Sequence, residues 1–135
     1  AGGHPVGCAL ALEAIDIIIN EKMIENVRHL EPIFMGGLKN FEDLEFIGES
    51  RGIGLMGALE MVQDKKNKLP FDGSISIGER VANKCIENGL ICRPLGPSIV
   101  LCPPFITSEE EMGVIFDTLE KTLKEVFSEV KSLGQ

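Results

Sequence analysis

The sequence is poor in the residues from which many binding sites are built. It contains no tryptophan and no tyrosine, only two histidines, and 13 basic against 21 acidic residues, for a formal net charge of −8. So few cations leave no basic stripe to follow a phosphate backbone, and nucleic acid and anionic membrane surfaces are therefore not expected partners. No apolar run approaches the length of a membrane span. With 135 residues and a hydrophobic fraction of 44%, one soluble domain over residues 1–135 is expected.

The four cysteines, Cys8, Cys85, Cys92 and Cys102, are dispersed, without a C-x-x-C pair and without the spacing of zinc ligands. Each lies in an apolar context, so we predict small buried side chains with free thiols in a reducing compartment, the cytoplasm. The two histidines have no clustered carboxylates beside them. No metal site is therefore expected.

Apolar spacing and turn residues predict helices and strands along the whole chain. A period of 3.6 predicts helices, and apolar runs bounded by glycine and proline predict strands. We predict a helix from Pro5 to about Asn20, a second over residues 21–40 that bends or breaks at Pro32, strands over 44–50 and 54–62, a third helix ending at Gly89, two strands joined at residues 95–98, and a long final helix after Thr107. This order predicts an α+β fold, a small antiparallel sheet with helices packed on it.

Three of the predicted helix starts carry their own signals. Pro5 suits the first helical position, and the glycines before it leave backbone N–H groups open to an anion, with a flexible helix entry as the alternative. Ser76 with Glu79, and Thr107 with Glu110, predict capping boxes for the third and final helices.

Arg93 is the unusual residue of the predicted strands, because its surroundings are typical of a core. A guanidinium keeps its charge, so its burial requires an anionic partner. Two interpretations are open. In the first, Arg93 pairs with a carboxylate of this chain or its side chain reaches water. In the second, the planar fork of donors holds a substrate carboxylate. Arg51 is predicted to form a structural ion pair, since Glu45 and Glu49 lie nearby in sequence. The residues alone support an α+β domain with one anion-binding arginine.

Three blocks of sequence carry a resemblance to a known family. They are GGHPVGCA at residues 2–9, RGIGLM at 51–56, and LICRPLG at 90–96 followed by VLCPP at 100–104. In this order and spacing they resemble the C-terminal part of class III pyridoxal-phosphate (PLP) aminotransferases, most of all the ω-transaminases that pass an amino group from an amine to pyruvate. The resemblance covers essentially all 135 residues.

The resemblance implies the C-terminal small domain of a fold-type-I PLP enzyme, with the active site at a homodimer interface. It implies that Arg93 binds the substrate carboxylate and moves aside for uncharged groups. It also implies that Ala1 follows the family's phosphate-binding threonine, and that this threonine and the lysine that attaches PLP precede the present residues. We therefore expect a fragment that holds no catalytic residue and is inactive alone. A free-standing domain that binds a small carboxylate through Arg93 is the alternative.

Overall fold

The computed structural model describes residues 2–132. Within that range the elements follow in the order α1 (Pro5–Asn20), α2 (Met23–Asn40), β1 (Ile47–Ile53), β2 (Met56–Met61), α3 (Ile77–Glu87), β3 (Arg93–Leu95), β4 (Ser98–Leu101) and α4 (Glu109–Ser132). Short 3-10 turns lie at Phe41–Asp43 and Gly73–Ile75. The α+β prediction is confirmed.

The strands form one antiparallel sheet in the order β1-β2-β4-β3, so that β1 and β3 are its edges. The first hairpin turns at residues 53–56, where Gly54 has a φ of +56° that glycine adopts without strain. Glu31 of α2 accepts a hydrogen bond from the Gly54 N–H at 2.8 Å. The prediction that ended the first strand at Ser50 was wrong, because Arg51, Gly52 and Ile53 also belong to β1. The sequence around the turn gives no sign of the hydrogen bond between Gly54 and Glu31 of α2.

The core lies between one face of the sheet and helices α2, α3 and α4. Leu59, Ile99 and Met61 of the sheet are fully buried there. Gly57 shares this face, and a Cβ at its position would overlap the side chains of Phe34 and Leu38. The absence of a side chain at Gly57 lets α2 approach the sheet closely.

Helices α2 and α4 each bury the apolar stripe that their spacing predicts. The buried members are Leu30, Phe34 and Leu38 in α2, and Met112, Leu119, Leu123, Val126, Phe127 and Val130 in α4. Pro32 lies inside α2 without ending it, so the predicted alternative of a complete break was wrong. His29 of α2 is exposed and connects the two helices, with its Nε2 2.6 Å from Oε1 of Glu109.

Helix α1 differs from the other helices, because none of its residues is buried. Its apolar side chains are largely exposed, for example Leu10 and Leu12 at 66% each. The prediction of helices packed on the sheet therefore fails for α1, which contacts α2 instead. No helix of the described residues has the length and hydropathy needed to cross a membrane.

Neither capping box forms at the predicted residues, although Ser76 is the N-cap residue of α3 and a box does begin α4. Ser76 has a φ of +49° and its hydroxyl donates to the Gly73 carbonyl at 3.4 Å, so it does not cap α3 with its side chain. The box of α4 lies one residue beyond the predicted one. The N–H of Ser108 donates to Glu111 at 2.8 Å, and the N–H of Glu111 donates to the Ser108 hydroxyl at 3.2 Å.

The prediction of four buried cysteines holds for one of them. Cys85 is fully buried and Cys92 is half-buried, whereas Cys8 and Cys102 are exposed. Cys8 is exposed because α1 is uncovered, and Cys102 follows the last residue of β4. All four thiols are free.

Candidate functional site

Arg93 lies at the end of a row of residues that crosses the whole sheet. It is opposite Val100 in β4, Val100 is opposite Ala58 in β2, and Ala58 is opposite Arg51 in β1. Residues directly opposite one another share a face of the sheet. Because Leu59 and Ile99, one position along, face the core, this row lies on the other face. We call it the open face, defined by Arg51, Ala58, Val100, Arg93 and the residues that alternate with them.

The Arg93 side chain is exposed, and no carboxylate of residues 2–132 lies within 4.0 Å of its guanidinium. The expectation of a core-like environment was wrong. Its strand has only three residues and forms an edge of the sheet, so one side of it meets solvent. The charge is therefore available to an anion from outside the described residues.

Arg51, at the other end of the row, is held by acidic neighbours. Its Nη1 lies 2.7 Å from Oε2 of Glu60 and 3.7 Å from Oε1 of Glu49. The predicted structural ion pair is thus confirmed for Glu49, while Glu45 pairs with Lys131 instead. Glu60 was missed because it is opposite Glu49 on the neighbouring strand, nine residues from Arg51 in sequence.

Apolar side chains occupy other positions of the open face. Leu95, two residues after Arg93, is 63% exposed, and Ile53 and Met56 at the end of the first hairpin are 70% and 59% exposed. Of these groups only Leu95 lies on the same strand as Arg93, and a guanidinium fork beside an exposed apolar side chain suits a small molecule with a carboxylate and an apolar remainder.

The backbone around Arg93 is fixed from two sides. Helix α3 lies so close to the β3–β4 turn that a Cβ on Gly78 would overlap the carbonyl oxygen of Gly96. On the sheet side, the Met61 N–H donates to the Pro97 carbonyl at 3.1 Å. A groove of about 300 Å³ runs beside this turn, between Pro94 and the start of α3. The strand that carries Arg93 is therefore positioned by elements distant in sequence.

The second candidate anion site lies at the start of α1. His4 occupies the N-cap without a side-chain hydrogen bond, Pro5 is the first helical residue as predicted, and Gly2 and Gly3 are exposed. Ala1, which the resemblance places next to the phosphate-binding threonine, lies outside the described residues. Both interpretations of the glycines, an anion site and a flexible entry, stay predictions.

The lysines present do not fit covalent attachment of a carbonyl cofactor. Attachment needs an amine that loses its proton easily, as a desolvated lysine does. Eight of the nine lysines are exposed, and the ninth, Lys84, is hydrogen-bonded to Glu87 at 2.9 Å, which raises its pKa. Residues 2–132 also contain no group of three histidine, cysteine or acidic side chains that could hold a metal ion.

The family description "Aminotransferase class-III" matches residues 1–123. This chain belongs to the class III aminotransferases. The assignment agrees with the resemblance that the three sequence blocks carry.

Relatives of this class III chain include enzymes named for several activities. It is 38% identical over 131 residues to "Gamma aminobutyrate transaminase 1, mitochondrial" of Solanum lycopersicum, covering 97% of this chain and 25% of that protein. Among solved structures, an omega-transferase from Vibrio fluvialis JS17 shares 58% identity with a TM-score of 0.94, covering 96% of this chain and 31% of that one. An omega-aminotransferase from Paracoccus denitrificans shares 60% identity with a TM-score of 0.93, covering 95% and 28%.

The chain thus spans between a quarter and a third of the length of these relatives. The solved relatives include a structure described as the PMP-bound form of an aminotransferase from Vibrio fluvialis, at 59% identity and a TM-score of 0.93. This match covers 95% of the present chain and 28% of the Vibrio chain.

Proposed function

We propose that this chain is the substrate-recognition part of a PLP-dependent class III aminotransferase, which moves an amino group from an amine or amino acid to a keto acid such as pyruvate. In this proposal Arg93 binds the carboxylate of the amino acid or keto acid. Amines without a carboxylate bind in the same place when the Arg93 side chain moves aside.

The observation that carries the proposal is the contrast between the two arginines of the open face. Arg51 already has carboxylate partners at 2.7 and 3.7 Å, while Arg93 has none among residues 2–132. An exposed arginine on an edge strand can turn toward a ligand or into water at little cost, because no internal ion pair has to be broken. Its planar fork can hold a carboxylate by two parallel hydrogen bonds.

The cofactor's share of the chemistry is separate from this chain's share. When bound, PLP supplies the electron sink for amino-group transfer. The described residues supply no lysine for its attachment, so their own part is to bind and orient the substrate carboxylate. The homodimer expected from the resemblance and the cytoplasmic location expected from the free cysteines stay predictions.

The test uses the full-length protein and separates the two half-reactions. Replacing Arg93 with alanine removes one partner of a charge pair, which costs roughly 2–5 kcal/mol when that pair is desolvated. This corresponds to a loss on the order of 30-fold to several-thousand-fold in kcat/KM for pyruvate or an amino acid. The half-reaction with an amine that lacks a carboxylate should change far less. Rates are read from the cofactor absorbance in single turnovers.

Arg51→Ala is the matched control, since it removes the same side chain from the same row of the sheet. It should change both half-reactions by less than about fivefold, because exposed ion pairs contribute little. Arg93→Lys should recover only part of the loss, since an ammonium keeps the charge without the fork. Equal losses in the two half-reactions of Arg93→Ala, together with a lower Tm, would remove Arg93 from the substrate site.

A further inference from the structure

The groove between the β3–β4 turn and the start of α3 has the size of a small-molecule site. Its volume is about 300 Å³, and most of its walls are apolar. The apolar lining residues are Pro70, Phe71, Ile77, Pro94 and Pro97. Pro94 alternates with Arg93 along β3, so the groove lies behind the strand, on the side away from the open face.

Contacts with the core hold the walls of the groove in place. Phe71 is buried, and its ring meets that of Phe46 edge-on with the ring centroids 5.3 Å apart. At the turn, α3 approaches so closely that a Cβ on Gly78 would overlap the Gly96 carbonyl oxygen. The groove is therefore already formed, which spares a ligand the cost of ordering it.

The polar part of the groove is acidic. Asp72 and Glu79 line it, and none of its lining residues is a lysine or an arginine. Oδ1 of Asp72 accepts hydrogen bonds from the Ser74 hydroxyl at 2.5 Å and from the Ser74 N–H at 2.8 Å, and these bonds lower the pKa of the Asp72 carboxyl. Arg80, next to Glu79 in sequence, donates to the Ile75 carbonyl at 2.7 Å instead. Neither groove carboxylate has an ion-pair partner within 4.0 Å among residues 2–132.

We propose that this groove binds a small organic ammonium ion, with the apolar body between the walls and the cationic head at Asp72 and Glu79. The two carboxylates attract a cation and repel a carboxylate or phosphate ligand. The apolar walls favour an alkyl or aryl group over a hydrated metal ion, which needs several oxygen ligands. A volume of about 300 Å³ fits a single small molecule rather than a folded segment.

The amino donors of a transaminase belong to this class of ligand. Like the side chain of lysine, an alkyl amine carries its proton at neutral pH. A donor bound in the groove contacts Pro94, the residue after Arg93. This consequence rests on the proposed function, whereas the binding of ammonium ions does not. The binding is therefore tested with a cation that has no amino group to transfer.

The probe is benzyltrimethylammonium, which has no N–H and no carboxylate to pair with Arg93. It is titrated into the full-length protein with isotope-labelled isoleucine and leucine methyl groups, and binding is followed by NMR. We expect a saturable shift of the Ile77 methyl signal in the groove and none at Leu95 on the open face. Benzyl alcohol, the neutral counterpart, should bind at least about fivefold more weakly, because it gains nothing from the two charges. Added salt should weaken binding of the cation alone.

Conservative variants test the two carboxylates. Asp72→Asn keeps an acceptor for the Ser74 bonds, and Glu79→Gln keeps the shape of the side chain. Each should weaken binding of the probe about threefold to fivefold, and both together about 10- to 25-fold, because each removes one exposed charge. Glu110→Gln is the matched control, since it removes an exposed carboxylate from the first turn of α4, and it should leave binding unchanged.

Three results would overturn the proposal: equal binding of the probe and benzyl alcohol, unchanged binding in the double variant, or shifts confined to the open face. An Ile77 signal that does not move would also overturn it, because the groove is then covered or unselective in the full-length protein. None of these results depends on the half-reactions of Arg93→Ala, so the two proposals can fail separately.

Discussion

The two faces of the sheet are built from the same four strands, but one is buried against the helices and the other carries exposed side chains. One row, Ser50, Leu59, Ile99 and Pro94, lies toward the helices, and its two central members are fully buried. The adjacent row ends in two exposed arginines, with Ala58 and Val100 half-buried between them. The difference shows that the strands specify two different surfaces, one that holds the fold together and one that remains available for binding.

The largest expected difference in unfolding free energy comes from replacing one leucine by alanine on each face of the sheet. Leu59→Ala removes a fully buried side chain and should lower the free energy of unfolding by about 2–5 kcal/mol, because a cavity is added to the lost burial. Leu95→Ala makes the same change on the open face, where the side chain is 63% exposed, and should cost less than about 0.5 kcal/mol. Urea unfolding of both variants measures the difference. A comparable cost at Leu95 would show that the open face is buried in the complete protein.

A pH-dependent effect is expected at the edge of the core-facing row. Glu42 accepts hydrogen bonds from the Ser50 N–H at 3.0 Å and the Ser50 hydroxyl at 2.6 Å, and Lys39 lies 2.6 Å from it. The bond from Lys39 and then those from Ser50 lower the pKa of Glu42 to about 2 from 4.5. The stability it contributes is therefore complete above pH 4.5 and is lost as the pH falls from 4.5 through about 2.

Glu42→Gln should accordingly flatten the dependence of unfolding free energy on pH in that window, as measured by urea unfolding at several pH values. Ser50→Ala removes one of the donors and should flatten it less. If Glu42→Gln keeps the slope of the unaltered protein below pH 4.5, the carboxylate is not the group that loses its partners there.

The smallest effect is expected from the ion pair on the open face. Arg51 and Glu60 are 49% and 40% exposed, so their attraction is screened by water and salt. A double-mutant cycle with Arg51→Met and Glu60→Gln should give a coupling energy of about 0–1 kcal/mol that shrinks when salt is added. A coupling above 2 kcal/mol that persists at high salt would mean that this face is desolvated.

Much of the fold was predictable because local pattern and tertiary contact agree in it. The stripes of α2 and α4 are long enough for the helical period to be clear, and Gly57, Leu59 and Met61 alternate onto one buried face of β2. The helical period also predicted α1, but it did not predict that the apolar residues of α1 have no covering element among residues 2–132. Periodicity identifies a helix but does not report what lies against it.

The candidate site was likewise predicted only in part from the sequence. The sequence identified Arg93 as an arginine that needs an anion, and the resemblance assigned it a substrate. The sequence left open whether the Arg93 side chain reaches water, since its exposure depends on β3 being an edge strand. The differences among the cysteines were also missed, since all four were predicted to be buried and only Cys85 is fully buried.

The sequence by itself determined the order of elements, the family and the chemistry of the side chains, because these depend on composition, period and motifs along the chain. Only the tertiary structure decided which face of the sheet is open, why Arg51 is paired and Arg93 is not, and which of the cysteines is buried. The physical reason is that burial and pairing depend on atoms supplied by distant segments. Glu60 reaches Arg51 across a hairpin, and the close approach of Gly78 and Gly96 fixes the strand of Arg93 against α3.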